Sequence, residues 1–165
     1  MQDGVPLPAV LRDRLKGARR LAVVGIGDEC IPSDRLGMQA ARRIERDNLP
    51  GVRVFYAGTV PESITGPLRK YRPDHVLFLD AAEMGERPGT VAVIAPGKIS
   101  AGLLSTHVLP LSVVMDYVGE ETGAGVTLLG LQPESSDPGE ELSREDQEYL
   151  DRTLRQVSAV LRDRE

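Results

Sequence analysis

Apolar and polar positions along this chain follow two rhythms. Five short runs, "LAVVG" (21–25), "VRVFYAG" (52–58), "HVLFLDAA" (75–82), "GTVAVIA" (89–95) and "GVTLLGLQP" (125–133), are mostly apolar and bounded by turn-forming or charged residues. They predict five strands. Between them, apolar residues recur every three or four positions. Leu36, Ala40 and Ile44 form such a stripe over 35–48, with Arg and Glu opposite, and predict a helix. The run 61–71 places Pro61 at a first helical position with Glu62 beside it, and Gly66-Pro67 predicts a short or kinked helix there. A helix is expected over 110–123, ending in Gly123. The clearest lies over 143–165, where Ser143 caps it with Asp146 three residues on, and Leu150, Leu154, Val157 and Leu161 make its stripe. A helical turn is expected over 8–16.

"HVLFLDAA" is apolar without alternation, as a central parallel strand covered on both faces is. The link from it to "GTVAVIA" is too short for a helical crossover, so that strand is expected to run antiparallel to its predecessor. The predicted fold class is α/β: a three-layer sandwich with a five-stranded, mostly parallel twisted sheet, one antiparallel strand, and helices on both faces. Residues 1–165 form a single domain, with no linker beyond the polar loop "ESSDPGEE" (134–141).

Composition narrows the partners. The chain has 165 residues, 20 basic against 25 acidic, and a formal net charge of −5. A mildly acidic surface without a basic patch argues against nucleic acid and against an anionic membrane. No apolar run approaches the ~20 residues of a transmembrane helix, and the N-terminus lacks a signal-peptide pattern. One cysteine, Cys30, excludes an internal disulfide. The expected compartment is the reducing cytoplasm.

In open parallel sheets, sites form at the carboxyl ends of strands. Asp28, Glu29, Cys30 and Asp34 follow the first strand, Asp80 ends the central one, and His107 precedes a helix in "LLSTHVLPL". Two carboxylates and an imidazole suit nickel, zinc, manganese or cadmium. Each has a plainer reading. Asp34 could cap the helix from Arg35, Asp80 could be a turn residue, and His107 a local hydrogen-bonder. Cys30 is expected to be a small packed residue, and His75 to lie at the opposite edge of the sheet. A dinucleotide site is excluded on two counts: Cys30 stands where the third glycine of "GIGDEC" should be, and the second strand ends in Tyr56-Ala57-Gly58 rather than in an acid.

Five segments in order, "VVGIGDECIPSDRLG", "YAGTVPES", "LFLDAAEMG" with "RPGTVAVI", "STHVLPL" and "GLQP", resemble the nickel–iron hydrogenase maturation proteases over about residues 21–160. These endopeptidases trim the C-terminal extension of the hydrogenase large subunit. The resemblance implies a phosphorylase/hydrolase-like fold and makes Asp34, Asp80 and His107 both the metal ligands and the catalytic set of an aspartic-type endopeptidase. The first loop departs from the family: it is about two residues longer, Ser33-Asp34-Arg35 replaces Asp-Asp-Gly, and Ile26 replaces the usual Asn. Asp28 and Glu29 therefore remain alternatives to Asp34, which is preferred because Gly37 then falls three residues later.

The resemblance further implies that nickel is supplied by the substrate, other divalent ions substituting in vitro. The implied partner is the large-subunit precursor, and the enzyme is expected to be a monomer holding no permanent metal. Water activation by metal or by carboxylate stays open; no His-Glu-x-x-His motif or serine triad is present. Two other readings stand beside it: a non-proteolytic metal-sensing chaperone of hydrogenase assembly, and a small-molecule hydrolase using Cys30 and His107.

Overall fold

The computed structural model describes residues 4–95, 110–135, 137 and 139–164. Strands β1 (Leu21–Ile26), β2 (Val52–Gly58), β3 (His75–Ala81), β4 (Val91–Val93) and β5 (Gly125–Leu131) form one sheet in the order β2-β1-β3-β5-β4. All neighbours are parallel except β4 and β5. All six residues of β1 and the first six of β3 are buried. At the edge, β2 buries only Phe55 and Ala57, because one side of an edge strand has no neighbour to cover it.

Alternate strand residues feed two cores, as the two-residue period requires. On one face Leu21, Val23, Leu77, Leu79, Leu129 and Leu131 meet helices α1 (Leu7–Leu15), α2 (Leu36–Arg46) and α5 (Arg144–Arg162). On the other, Ala22, Val24, Val76, Phe78 and Leu128 meet α3 (Thr65–Tyr71) and α4 (Leu111–Thr122). The three-layer expectation therefore holds. The predicted stripes of α2 and α5 are the buried ones. Ser143 Oγ accepts the Asp146 N–H at 3.1 Å. Gly123, at φ 70°, ends α4 in the left-handed conformation that glycine adopts without steric cost.

The structure corrects several details. The N-terminal turn is a nine-residue helix that buries Leu11 and Leu15. The break in 61–71 comes earlier than Gly66-Pro67: a 3-10 turn, Pro61–Ile64, gives way to α3 at Thr65. Pro67 then falls in the first turn of α3, where an N–H has no partner to lose. Strand β4 covers 91–93 rather than 89–95, and it runs antiparallel to β3 as expected. It lies beyond β5, however, because the connection crosses the end of β5, with Gly89 donating to the Gln132 carbonyl and Gln132 to the Thr90 carbonyl, both at 2.9 Å.

Gly37 seats α2. A Cβ there would fall on the carbonyl oxygens of Leu79 and Ile26, at the carboxyl ends of β3 and β1. Gly37→Ala is expected to push α2 off the sheet and destabilise the fold by about 1–3 kcal/mol, read as a lower urea midpoint at unchanged slope.

His75 opens β3 at the amino end of the sheet, as expected. It is buried, with Nε2 2.8 Å from Thr127 Oγ1. Burial, reinforced by Arg14, lowers its pKa to about 4. The folded state thus holds neutral imidazole, whereas the unfolded chain protonates near the ordinary value of about 6.5. Stability from this group is full above pH 6.5 and lost as pH falls toward 4, by up to about 3 kcal/mol. Between these pH values, chemical denaturation of a His75→Gln variant should show a flatter loss of stability than the parent.

Candidate active site

Loop 27–35 is built by its own acids. Gly27, at φ 128°, donates to the Gly58 carbonyl at 2.8 Å. A Cβ at Gly27 would fall on the Asp34 carbonyl oxygen, so the loop returns directly over the end of β1. Two turns compact it, Ile31 N–H to Asp28 O at 3.1 Å and Asp34 N–H to Ile31 O at 2.9 Å. Asp28 Oδ1 accepts the Cys30 N–H at 2.9 Å, an aspartate-supported turn.

Asp34 is half-buried, and its Oδ2 accepts the Asp28 N–H at 2.9 Å. The helix-capping reading of Asp34 is overturned. The cap position of α2 is Arg35, in helical conformation and without a side-chain cap bond, because the Asp34 carboxylate is folded back over its own loop. Cys30 is also corrected: it is exposed, not packed.

Glu29 is committed elsewhere. Arg42 of α2 grips it with two bonds, Nε to Oε1 at 2.5 Å and a second guanidinium nitrogen to Oε2 at 3.0 Å. That bidentate pair holds the Glu29 carboxyl below the ordinary carboxylate range. Arg42 also lies 4.6 Å from the centre of the Tyr56 ring, and Tyr56 donates its hydroxyl to Glu45 at 2.6 Å. Burial and Glu45 raise the Tyr56 pKa to about 12. On its other flank the loop is tied by Arg35 to Glu141, at 3.0 Å.

Asp80 is the sixth residue of β3 and is fully buried, 0% exposed. Its cross-strand neighbour is Gly130. By alternation it shares the face of Phe78, the side covered by α4. Gly37 packs on the carbonyl of Leu79, one residue before Asp80. The Asp34 loop and the Asp80 strand end therefore occupy the same carboxyl end of adjacent strands. His107 lies outside the described residues. Among the described residues no three His, Cys, Asp or Glu side chains form a group able to hold a metal ion.

The chain leaving Asp80 is held by Gln132, which follows β5 and is buried. Its Oε1 accepts the N–H groups of Met84 at 2.6 Å and Glu86 at 3.4 Å. Its Nε2 donates to Glu83 Oε1 at 2.9 Å and to the Pro133 carbonyl at 3.2 Å. Sequence reasoning noted "GLQP" only as part of a pattern; a lone polar residue in an apolar strand end was the available signal for this role.

The family model for hydrogenase maturation proteases of the HycI type matches residues 38–160. The chain belongs to the hydrogenase maturation protease family. It is accordingly a peptidase. A Methanocaldococcus jannaschii protein described as a candidate hydrogenase maturation protease is 32% identical over 136 residues, covering 78% of this chain and 80% of that one. The hydrogenase 3 maturation protease of Escherichia coli K12 is 30% identical over 110 residues, 66% of this chain and 70% of that one. Among solved structures, a nickel–iron hydrogenase maturation protease HycI from Thermococcus kodakarensis superposes with a TM-score of 0.79 at 33% identity, covering 92% and 98% of the two chains. No helix among the described residues of this family member is long and apolar enough to cross a membrane.

Gln132→Leu leaves the Met84 and Glu86 N–H groups without their acceptor. The cost of a stranded partly buried group is about 1–3 kcal/mol. Hydrogen exchange should show faster amides at Met84 and Glu86, with protection in β1 changed far less.

Proposed function

We propose that this protease removes the C-terminal extension of a nickel–iron hydrogenase large subunit after nickel insertion, with Asp34, Asp80 and His107 reaching the nickel held by the substrate. The observation that carries the reading is the shared position of two acids: Asp34 is folded back over the end of β1, and Asp80 is buried at the end of the adjoining β3. Glu29 is a poor alternative ligand because Arg42 already occupies both of its oxygens. Asp28 and Asp34 each engage one oxygen within the loop, on the N–H groups of Cys30 and Asp28, and Asp34 is preferred on its family spacing, three residues before Gly37.

Carboxylate and imidazole oxygen and nitrogen donors suit nickel. Two acids facing a common point repel one another until a cation lies between them. Metal bound in the substrate thus becomes the condition for productive docking, a checkpoint against cutting an unfinished subunit. His107 contributes as neutral imidazole, so engagement weakens as pH falls through its titration. For the cut itself, an aspartic-type route uses a carboxylate as general base on the attacking water. The protein acts as a monomer in the cytoplasm, where lone Cys30 stays reduced.

Incubation with nickel-loaded and nickel-free precursor, followed by intact-mass measurement, tests this. Loss of the C-terminal peptide should occur only with the loaded form. Asp80→Ala and His107→Ala should each slow it by at least about 10²-fold. Asp34→Asn, which keeps an acceptor for the Asp28 N–H, should lose processing without losing the fold, and Cys30→Ser should process normally. Binding without cleavage by the parent protein would favour the chaperone reading. Undiminished cleavage by Asp80→Ala would remove the assigned site.

A further inference from the structure

Large apolar side chains exposed on the described surface are Val5, Val60, Val113 and Tyr117. Single exposed apolar residues are ordinary; the placement of three of these is not. Val113 and Tyr117 stand one turn apart on α4, exposed by 50% and 47%, and Val60, exposed by 47%, tips the connection from β2 to the 3-10 turn Pro61–Ile64. That turn packs against α4. The C-terminus of α4 leads through Gly123 to Gly125, which pairs with His75 at the amino end of the sheet. Twelve helical residues span about 18 Å, so the first turns of α4 return to the carboxyl end, where β2 also finishes. Val60 and Val113 therefore lie toward the end that carries Asp34 and Asp80, and Tyr117 continues the apolar stripe one turn down the outer face of α4.

Tyr117 differs from the other tyrosines. Tyr56 donates to Glu45, Tyr71 reaches the carbonyls of Leu21 and Gly51, and Tyr149 is covered by Arg87 at 4.1 Å. Among the described residues Tyr117 has no such partner. An exposed tyrosine beside an aliphatic residue is the composition of an interface anchor. Beside this apolar stripe runs an acidic one, Asp116 and Glu120, exposed and without ion pairs among the described residues; Glu121 is held by Arg69 at 3.0 Å.

We infer that the outer face of α4, with Val60 at its border, is the docking surface for the hydrogenase subunit, accepting an apolar patch edged by Lys or Arg. The inference rests on the protease reading above. It assigns recognition of the folded subunit to α4 and recognition of its metal to the acids, so the two can be separated by mutation.

The test is a concentration series of the nickel-loaded precursor that the parent protein cleaves. A Val113→Ser, Tyr117→Ser variant, whose changes lie on the surface and should leave far-UV circular dichroism unchanged, is expected to raise the half-saturating concentration at least tenfold with kcat unchanged. Asp116→Lys with Glu120→Lys should raise it too, and should reverse the salt dependence of association, which salt then strengthens by screening like charges. A wild-type half-saturation in both variants, or a fall in kcat alone, overturns the docking surface. Binding of the precursor by interferometry separates the two readings. Parent protein that binds without cutting, with binding lost in the serine variant, sinks the protease reading and keeps the surface.

Discussion

The site depends on how closely the backbone of the first loop and of α2 can approach the ends of β1 and β3. Gly27 and Gly37 are where that approach happens. A side chain at either would collide with main-chain carbonyls, of Asp34 in one case and of Leu79 and Ile26 in the other. A glycine costs conformational entropy wherever it is ordered; here that cost is offset by contacts that no larger residue permits. They bring Asp34 over the neighbouring strand of Asp80.

Around this seat, polar groups hold what packing does not. Each acid of the loop has its own role. Asp28 shapes a turn, Glu29 anchors outward to Arg42, and Asp34 turns inward onto its own loop. Gln132 does the same for the other wall, tying the chain after Asp80 to the end of β5. The outward tether of the first loop runs to Arg42 of α2, and that of the wall after Asp80 runs to Gln132 at the end of β5, so the two are held from different elements. The proposed reading of a metal held by another protein would need ligands aimed but not saturated, and tethering of their supports is one way to hold them so.

The sheet and its helices were legible because their signals are periodic. Continuous apolar β3 and the striped α2 and α5 declare which faces they bury. The candidate ligands were legible through strand ends and a family pattern. The role of Asp34 in its own loop was not, since capping and loop-closing aspartates look alike in sequence and differ only in which way the carboxylate turns. Cysteine is usually buried, whereas Cys30 stands exposed on a loop turn, its N–H held by Asp28. The Glu29 partner of Arg42 is 13 positions away, and the Met84, Glu86 and Glu83 partners of Gln132 are 48, 46 and 49 away, and nothing periodic announces such pairs. Arg164 is a further case: buried, it donates to the carbonyls of Ala18, Arg19 and Pro50, clamping the end of α5 to the entrance of β1.

Recognition of metal by side chains gathered from three separate segments is the claim from which the proposed checkpoint follows. The most direct measurement is anomalous diffraction from crystals soaked in nickel or cadmium. The account predicts one ion at the carboxyl end of the sheet, bound by the carboxylates of Asp34 and Asp80 and by the imidazole of His107, with ligand distances of about 2.0–2.4 Å. An ion held instead by Asp28, Glu29 or Cys30, or no ion within reach of Asp80, would contradict it.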